Sequence, residues 1–178
     1  MKLHGPILAL DLSVTRTGWA IGAPGEVPQN GSVVFARRGF SLAAHFAGCR
    51  EWLDRFHAQH NPRLVVFEAP LAPSVMEGRT NTTTVRALMG LAAMVEGTLY
   101  NRGIDVREAS VASVRRFFLG SNAIKSADAK LATFRRCVEL GFAPCNDDSA
   151  DALALWCFMV SIVAPSEGVK LLPLFRKA

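Results

Sequence analysis

The stretch "ILALDLSVTRTGWAIG", Ile7 to Gly22, joins an apolar run, a carboxylate, a polar turn and a second apolar run. Residues 7–10 read as a strand buried in a core, yet that strand ends on Asp11. A buried, unpaired carboxylate is costly. Asp11 must therefore reach solvent, meet a basic partner or hold a cation. What surrounds the strand has to decide among these.

Working outward, "PILALDL", "TGWAIGA" and "NGSVVFA" form three successive strands, punctuated by Gly, Pro and Asn. "SLAAHFAGCREWLDRFHAQH" places Leu42, Phe46, Cys49, Leu53 and Phe56 at helical spacing. "RLVVFEA" is another β-branched strand, and it ends on a second carboxylate, Glu68. A turn-rich loop then leads into a long helix, residues 82–101, with Gly103 as its stop. "IDVREA" reads as a strand and "SVASVRRFFLG" as a short helix closed by Gly120. "SADAKLATFRRCVEL" is a helix ending at Gly141, and "NDDSADALALWCFMVSIVA" a last helix with acids in its first turn, at the positive end of the dipole. Antiparallel strands followed by strands alternating with helices predict a mixed α/β sheet covered by helices on both faces. Residues 1–164 are expected to form one domain and 165–178 a peripheral tail.

At 178 residues the chain is long enough to bury a real core. Half of its residues are hydrophobic, which excludes a disordered chain. Lys+Arg 20 against Asp+Glu 15 favours an anionic partner such as nucleic acid. Cys49, Cys137, Cys145 and Cys157 form no C-x-x-C pair and read as reduced thiols of a cytoplasmic protein. "MKLHGPILAL" is too short in its apolar part for a signal peptide, and "ALALWCFMVSIVA" falls short of a membrane span, so no membrane is expected.

Two carboxylates at strand ends converge if their strands are neighbours, since sites in open α/β sheets form beyond such ends. Asp148 and Asp151 are three apart on the last helix, hence on one face, among the small or apolar residues Ala150, Ala152 and Leu153. Asp147, beside Asn146, reads as a cap or a solvent-facing residue. Four acids at close quarters repel one another and raise each other's pKa unless positive charge intervenes. Mg²⁺ takes such oxygen ligands and also binds phosphate oxygens. Two such ions can activate water and stabilise the leaving oxygen of a phosphodiester without a Ser, Cys or His nucleophile.

From about Ile7 to Val163 the sequence resembles the RuvC-type Holliday junction resolvases of the RNase H-like superfamily. Asp11 falls on the family's first aspartate, and Thr17, Gly18 and Trp19 on the turn opening its second strand. "LVVFEAP" resembles the strand carrying the catalytic glutamate, at Glu68, and "DDSADALALW" the terminal motif, with Asp148 and Asp151 on its metal-binding aspartates. "LGSNAIKSADAK" resembles the glycine-then-lysine segment, with Lys125 on the catalytic lysine and Arg115 on a basic position ahead of it. The resemblance implies an RNase H-like fold and a metal-dependent endonuclease. It implies two Mg²⁺ or Mn²⁺ ions per active site, held by Asp11, Glu68, Asp148 and Asp151, and a homodimer acting on branched DNA, foremost the four-way junction. The chain has "LSV" where the family has a glycine after the first aspartate. Where the family has an aromatic wedge after the glutamate, the nearest large apolar residues are Leu71 and Met76.

Arg79, Arg86, Arg115, Arg116, Lys125 and Lys130 are candidate DNA contacts. Such a cluster supplies salt-sensitive phosphate affinity, and Lys125 is placed to stabilise charge on the scissile phosphate. Arg135 and Arg136 read as a solvated helix face. Trp52 and Trp156 read as core, with Trp19 open. Competing readings are a non-cleaving nucleic-acid-binding module on the same fold and an RNA-processing nuclease. A third is a sugar-kinase or chaperone-type ATPase, which needs two lobes and a second glycine-rich motif that this chain lacks.

Overall fold

The computed structural model describes residues 5–70, 82–121 and 126–168. Strands β1 (Ile7–Asp11), β2 (Thr17–Gly22) and β3 (Gln29–Val33) come first, followed by α1 (Leu42–His60), β4 (Leu64–Glu68) and α2 (Thr82–Tyr100). Then come β5 (Asp105–Ala109), α3 (Val111–Leu119), α4 (Ser126–Glu139), α5 (Asp147–Val163) and the short α6 (Pro165–Gly168).

The sheet order is β3-β2-β1-β4-β5. β1 pairs antiparallel with β2, and β2 with β3, while β1 pairs parallel with β4, and β4 with β5. The antiparallel opening and the mixed sheet match the sequence reading. The order itself was not legible there: the fourth strand returns to lie beside the first, so β1 is the centre of the sheet.

Alternation along each strand sorts the side chains onto two faces. Leu8, Leu10, Val65 and Phe67 join Leu53 of α1 and Leu91 of α2 in one cluster. Ile7, Ala9, Leu64 and Val66 join α3, α4 and α5 in the other, through residues such as Phe118, Cys137 and Leu153. Both faces are thus helix-covered. α5 is buried almost all round because the sheet lies on one side and α3 and α4 on the other. That explains its greasy sequence: no described helix is long and apolar enough to cross a membrane. Trp156 is 1% exposed and its indole N–H donates to the Gly22 carbonyl at 3.2 Å. Trp52 and Trp19 both pack partly buried on the α1 face, where Trp19 meets Phe56 edge-on, settling the open reading of that residue. All four cysteines are free thiols.

Local signals set the helix ends. Ser41 caps α1 and Ser110 caps α3, each accepting from a backbone N–H three residues on. Gly120 and Gly141 follow α3 and α4 at positive φ, as read from the sequence. At α5 the cap is Asn146 rather than Asp147: Asn146 and Ser149 form a reciprocal capping box, and Asp147 is an exposed first-turn residue. This cap fixes where α5 starts and so where its aspartates stand.

Candidate active site

Asp11 and Glu68 are the last residues of adjacent parallel strands. Leu10 pairs with Phe67, so the next residues along, 11 and 68, stand side by side, about one strand spacing of 4.8 Å apart. Alternation puts both on the face of Ile7, Ala9, Leu64 and Val66, the face that α5 covers.

Gly18 brings α5 to them. It is the register partner of Asp11, and a Cβ built on it would lie 1.9 Å from the Asp148 carbonyl oxygen. The first turn of α5 therefore rests directly on the backbone of β2, next to the tip of β1. Asp148 and Asp151 follow one helical turn apart.

Two cations are already among these acids. Arg16, at the end of the β1–β2 turn, donates from Nε to Asp148 Oδ2. The turn is tied by Thr17, whose hydroxyl donates to Ser13 O and accepts from Ser13 N, both at 3.1 Å. Lys130 of α4 places Nζ 3.9 Å from Asp148 Oδ1 and 3.7 Å from Asp151 Oδ2. Arg115 of α3, Lys130, Glu68 and Asp151 line a small cavity of about 40 Å³. A wider one of about 190 Å³ opens on the other side of Asp11 and Glu68, walled by Leu88 of α2.

The electrostatics record the crowding. Burial, then repulsion from Glu68 and Asp151, holds Asp11 well above the usual carboxylate range. Burial and Asp151 push Glu68 up to about 7, against the pull of Arg115 and Lys130. Burial raises Asp151 to about 6, with Lys130 and Arg115 opposing and Asp148 adding to the rise. Three acids at one spot are thus shifted toward the protonated form, as burial and mutual repulsion of crowded carboxylates require.

Carboxylate oxygens are the donors that Mg²⁺ or Mn²⁺ takes, and their mutual repulsion is what a divalent ion relieves. The residues fit such an ion in donor type and in charge. Their placement is a different matter: among the described residues no three His, Cys, Asp or Glu side chains form a set ready to hold a metal. Arg16 and Lys130 share Asp148 and Asp151 instead.

No family model and no curated protein matches the sequence. Solved structures do match the fold. RuvC of Thermus thermophilus in complex with a Holliday junction substrate superposes with a TM-score of 0.68 at 14% identity, over 89% of this chain and 96% of that one. Thermus thermophilus RuvC in a second structure gives 0.64 at 15%, over 88% and 96%. The yeast mitochondrial Holliday junction resolvase Ydc2 gives 0.65 at 11%, over 93% of this chain and 79% of that one. The chain has the RuvC resolvase fold.

On that RuvC fold, Asp11, Glu68 and the α5 pair Asp148 and Asp151 come together from three separated places in the sequence. Lys130, read as a DNA contact, belongs to the acidic cluster itself, and Arg115 faces it. Arg116 is exposed on the outer side of α3, and Arg86 is exposed in the second turn of α2. Arg135 is exposed, in keeping with a solvated face, whereas the Arg136 side chain is only 12% exposed and pairs with Glu139 at 3.1 Å, which corrects its reading as solvated. Lys125, Arg79, Leu71 and Met76 lie outside the described residues. Arg16 escaped the sequence reading altogether. Its signal was its place one residue before Thr17 and Gly18, which acquires meaning only once Gly18 is known to lie under α5.

Proposed function

We propose that this protein is a divalent-metal-dependent endodeoxyribonuclease that hydrolyses phosphodiesters in branched DNA, the four-way junction foremost. The observation that carries the reading is the convergence of two strand-end acids and two α5 acids, beside Arg115 and Lys130, on the RuvC fold. A similar structure being a complex with a Holliday junction supports the choice of substrate.

Asp11, Glu68, Asp148 and Asp151 are the residues that would hold Mg²⁺ or Mn²⁺. When bound, such ions lower the pKa of water and stabilise charge on a phosphoryl group. The chain's own contribution is positioning. The sheet fixes Asp11 beside Glu68, and α5 fixes Asp148 and Asp151 above them. Lys130 and Arg115 present positive charge where a scissile phosphate would gain negative charge, a preorganised form of stabilisation. Lys125, four residues before the described Ala129, is proposed as a further cation for that phosphate. Arg86, Arg116 and Arg79 are proposed contacts for the duplex arms. A homodimer would match a two-fold junction and give paired cuts.

Incubating labelled four-way junction, linear duplex and flap DNA with and without Mg²⁺ or Mn²⁺ tests the proposal. Metal-dependent, symmetrically paired nicks on the junction are expected. Metal-independent cutting, or equal cutting of linear duplex, overturns it.

The capture of Asp148 and Asp151 by Arg16 and Lys130 favours a second reading, a DNA-binding module that does not cleave. Titrating Mn²⁺ while following both junction binding and cleavage separates the two.

A further inference from the structure

The β3–α1 connection, "VFARRGFS" from Val34 to Ser41, carries two arginines, no acid and an aromatic ring at its tip. Its base is fixed at both ends. The Phe35 ring lies 6.0 Å from that of Trp52, and the Phe35 carbonyl packs so closely on α1 that a Cβ on Gly48 would meet it at 2.0 Å. At the other end Ser41 caps α1. Between them the chain makes a tight turn, in which the Phe40 N–H donates to Arg37 O at 3.1 Å. Gly39 holds φ +91 at the third place of that turn, where a type II turn requires glycine.

This turn pushes its side chains outward. Arg37 and Arg38 are exposed, and Phe40 keeps 60% of its surface in solvent. One exposed ring alone needs no explanation, but this one is flanked by two guanidinium groups and is placed by the sheet. β3 ends at Val33 opposite Thr17, and Gly18, the next residue, is opposite Asp11. The loop therefore leaves the sheet at the end where the acidic cluster lies, two strands across, or roughly 10 Å by strand spacing.

A ligand for this tip has to be anionic and to offer a flat apolar face. Single-stranded nucleic acid is the polymer with both, since its phosphates suit arginine and its unstacked bases suit an aromatic ring. In a duplex the base faces are covered by their neighbours; at a branch they are not. We propose that Phe40 stacks on an unpaired base at the branch of the DNA substrate while Arg37 and Arg38 hold its flanking phosphates. Stacking there fixes which strand runs toward Asp11 and Glu68. The inference rests on the nuclease reading and adds to it a determinant of branch selectivity.

The test uses full-length protein in EDTA, so that no strand is cut. Four-way junctions carry 2-aminopurine at single positions around the branch, and binding is followed by anisotropy and by 2-aminopurine emission. The wild-type protein is expected to change the emission at one or two positions next to the branch. Phe40→Ala should abolish that change and weaken junction binding roughly 5- to 100-fold, the range for one lost stacking contact. Linear duplex binding should be unaffected, and Phe40→Trp should keep the emission change. Replacing Arg37 and Arg38 by Ala should lower the salt dependence of binding by about one phosphate contact each. If Phe40→Ala binds the junction as the wild type does, with the same emission change, this inference falls and the nuclease reading stands. If the wild type binds no DNA of any form, both fall.

Discussion

Replacing Glu68 by Gln should stabilise the metal-free protein in mild alkali while abolishing cleavage. Glu68 is buried at the end of β4 beside Asp11, and burial together with Asp151 raises it from 4.5 to about 7. Its native pKa thus lies above its unfolded one, so between those values the native state binds more protons than the unfolded chain. Stability from this group is therefore present at low pH and falls as pH rises through the window from about 4.5 to about 7. At about 1.4 kcal/mol per pH unit, ionised Glu68 costs the native state about 3 kcal/mol at pH 8. Part of that repulsion is shared with Asp151, so about 2 kcal/mol is the share that one substitution should return. Gln keeps the volume and carries no charge at any pH. Urea denaturation in EDTA at pH 5.5 and pH 8.0 is the assay. At the lower pH the variant should lead by no more than about 1 kcal/mol, because native Glu68 is still protonated and only the unfolded chain, with its carboxyl near 4.5, has ionised. At pH 8.0 the variant should lead by about 2 kcal/mol, or roughly 4–8 °C in Tm for a domain of this size. A wild-type protein as stable at pH 8.0 as at pH 5.5, or a variant weakened equally at both, would show that Glu68 is not a strained buried acid.

The same crowding makes binding of Mn²⁺ proton-linked: at pH 6 the acids at Glu68 and Asp151 must shed protons, so the calorimetric enthalpy should vary with the ionisation heat of the buffer. A buffer-independent enthalpy would mean that the ion binds elsewhere. Asp11→Asn should reduce cleavage by more than the roughly 10- to 100-fold typical of losing an outer-shell partner of a metal, with junction affinity retained; full cleavage by the purified variant counts against the site. Arg16→Gln frees Asp148 from its ion pair. Because Arg16 is half exposed, the gain in Mn²⁺ affinity should be modest, about 2- to 5-fold, and a loss of affinity would instead make Arg16 a support for the site. Gly18→Ala puts a methyl against the Asp148 carbonyl. It should destabilise by about 1–3 kcal/mol as overpacking does and lower activity by displacing the α5 aspartates, whereas a neutral effect in both assays would show that α5 can shift freely.

Most of the fold was legible because its signals are local. The uninterrupted run Ile7–Leu10 could be nothing but a buried strand, and Gly120 and Gly141 end their helices where the periodicity stops. The strand order was not local. Nothing within "LVVFEA" says that β4 turns back to lie against β1 rather than β3; that choice is made by α1, whose Cys49, Leu53 and Phe56 need the β1–β4 face to cover. The cap of α5 shows how finely such readings are decided: of the two roles open to Asp147, cap or solvent-facing residue, the structure gives it the second. Asn146 and Asp147 are both good N-caps, and what selects Asn146 is Ser149, whose hydroxyl returns the bond to the Asn146 N–H.

The candidate site divides along the same line. Its acids announced themselves because a charge at the end of an apolar segment breaks a pattern, and a broken pattern is visible in one dimension. Its cations did not. Lys130 is one basic residue among several on a helix whose polar face is unremarkable, and Arg16 sits in a polar turn where any charge would pass unnoticed. Each acquires a role solely from what is packed against it, Lys130 from the pair on α5 and Arg16 from the close approach at Gly18. The consequence is mechanistic. A site of four carboxylates alone would be expected to bind metal as tightly as repulsion demands. With Arg16 and Lys130 already sharing Asp148 and Asp151, the resting charge is partly neutralised, and a divalent ion has to displace or tolerate a resident cation. Since a guanidinium fork matches phosphate as well as carboxylate, phosphates of DNA arriving at the site would compete for Arg16 and open Asp148 to metal. On this view metal affinity measured with a non-cleavable junction present should exceed that of the free protein, and the excess should vanish in Arg16→Gln. Equal affinities in the wild type, with and without DNA, would leave Arg16 as a static ion pair.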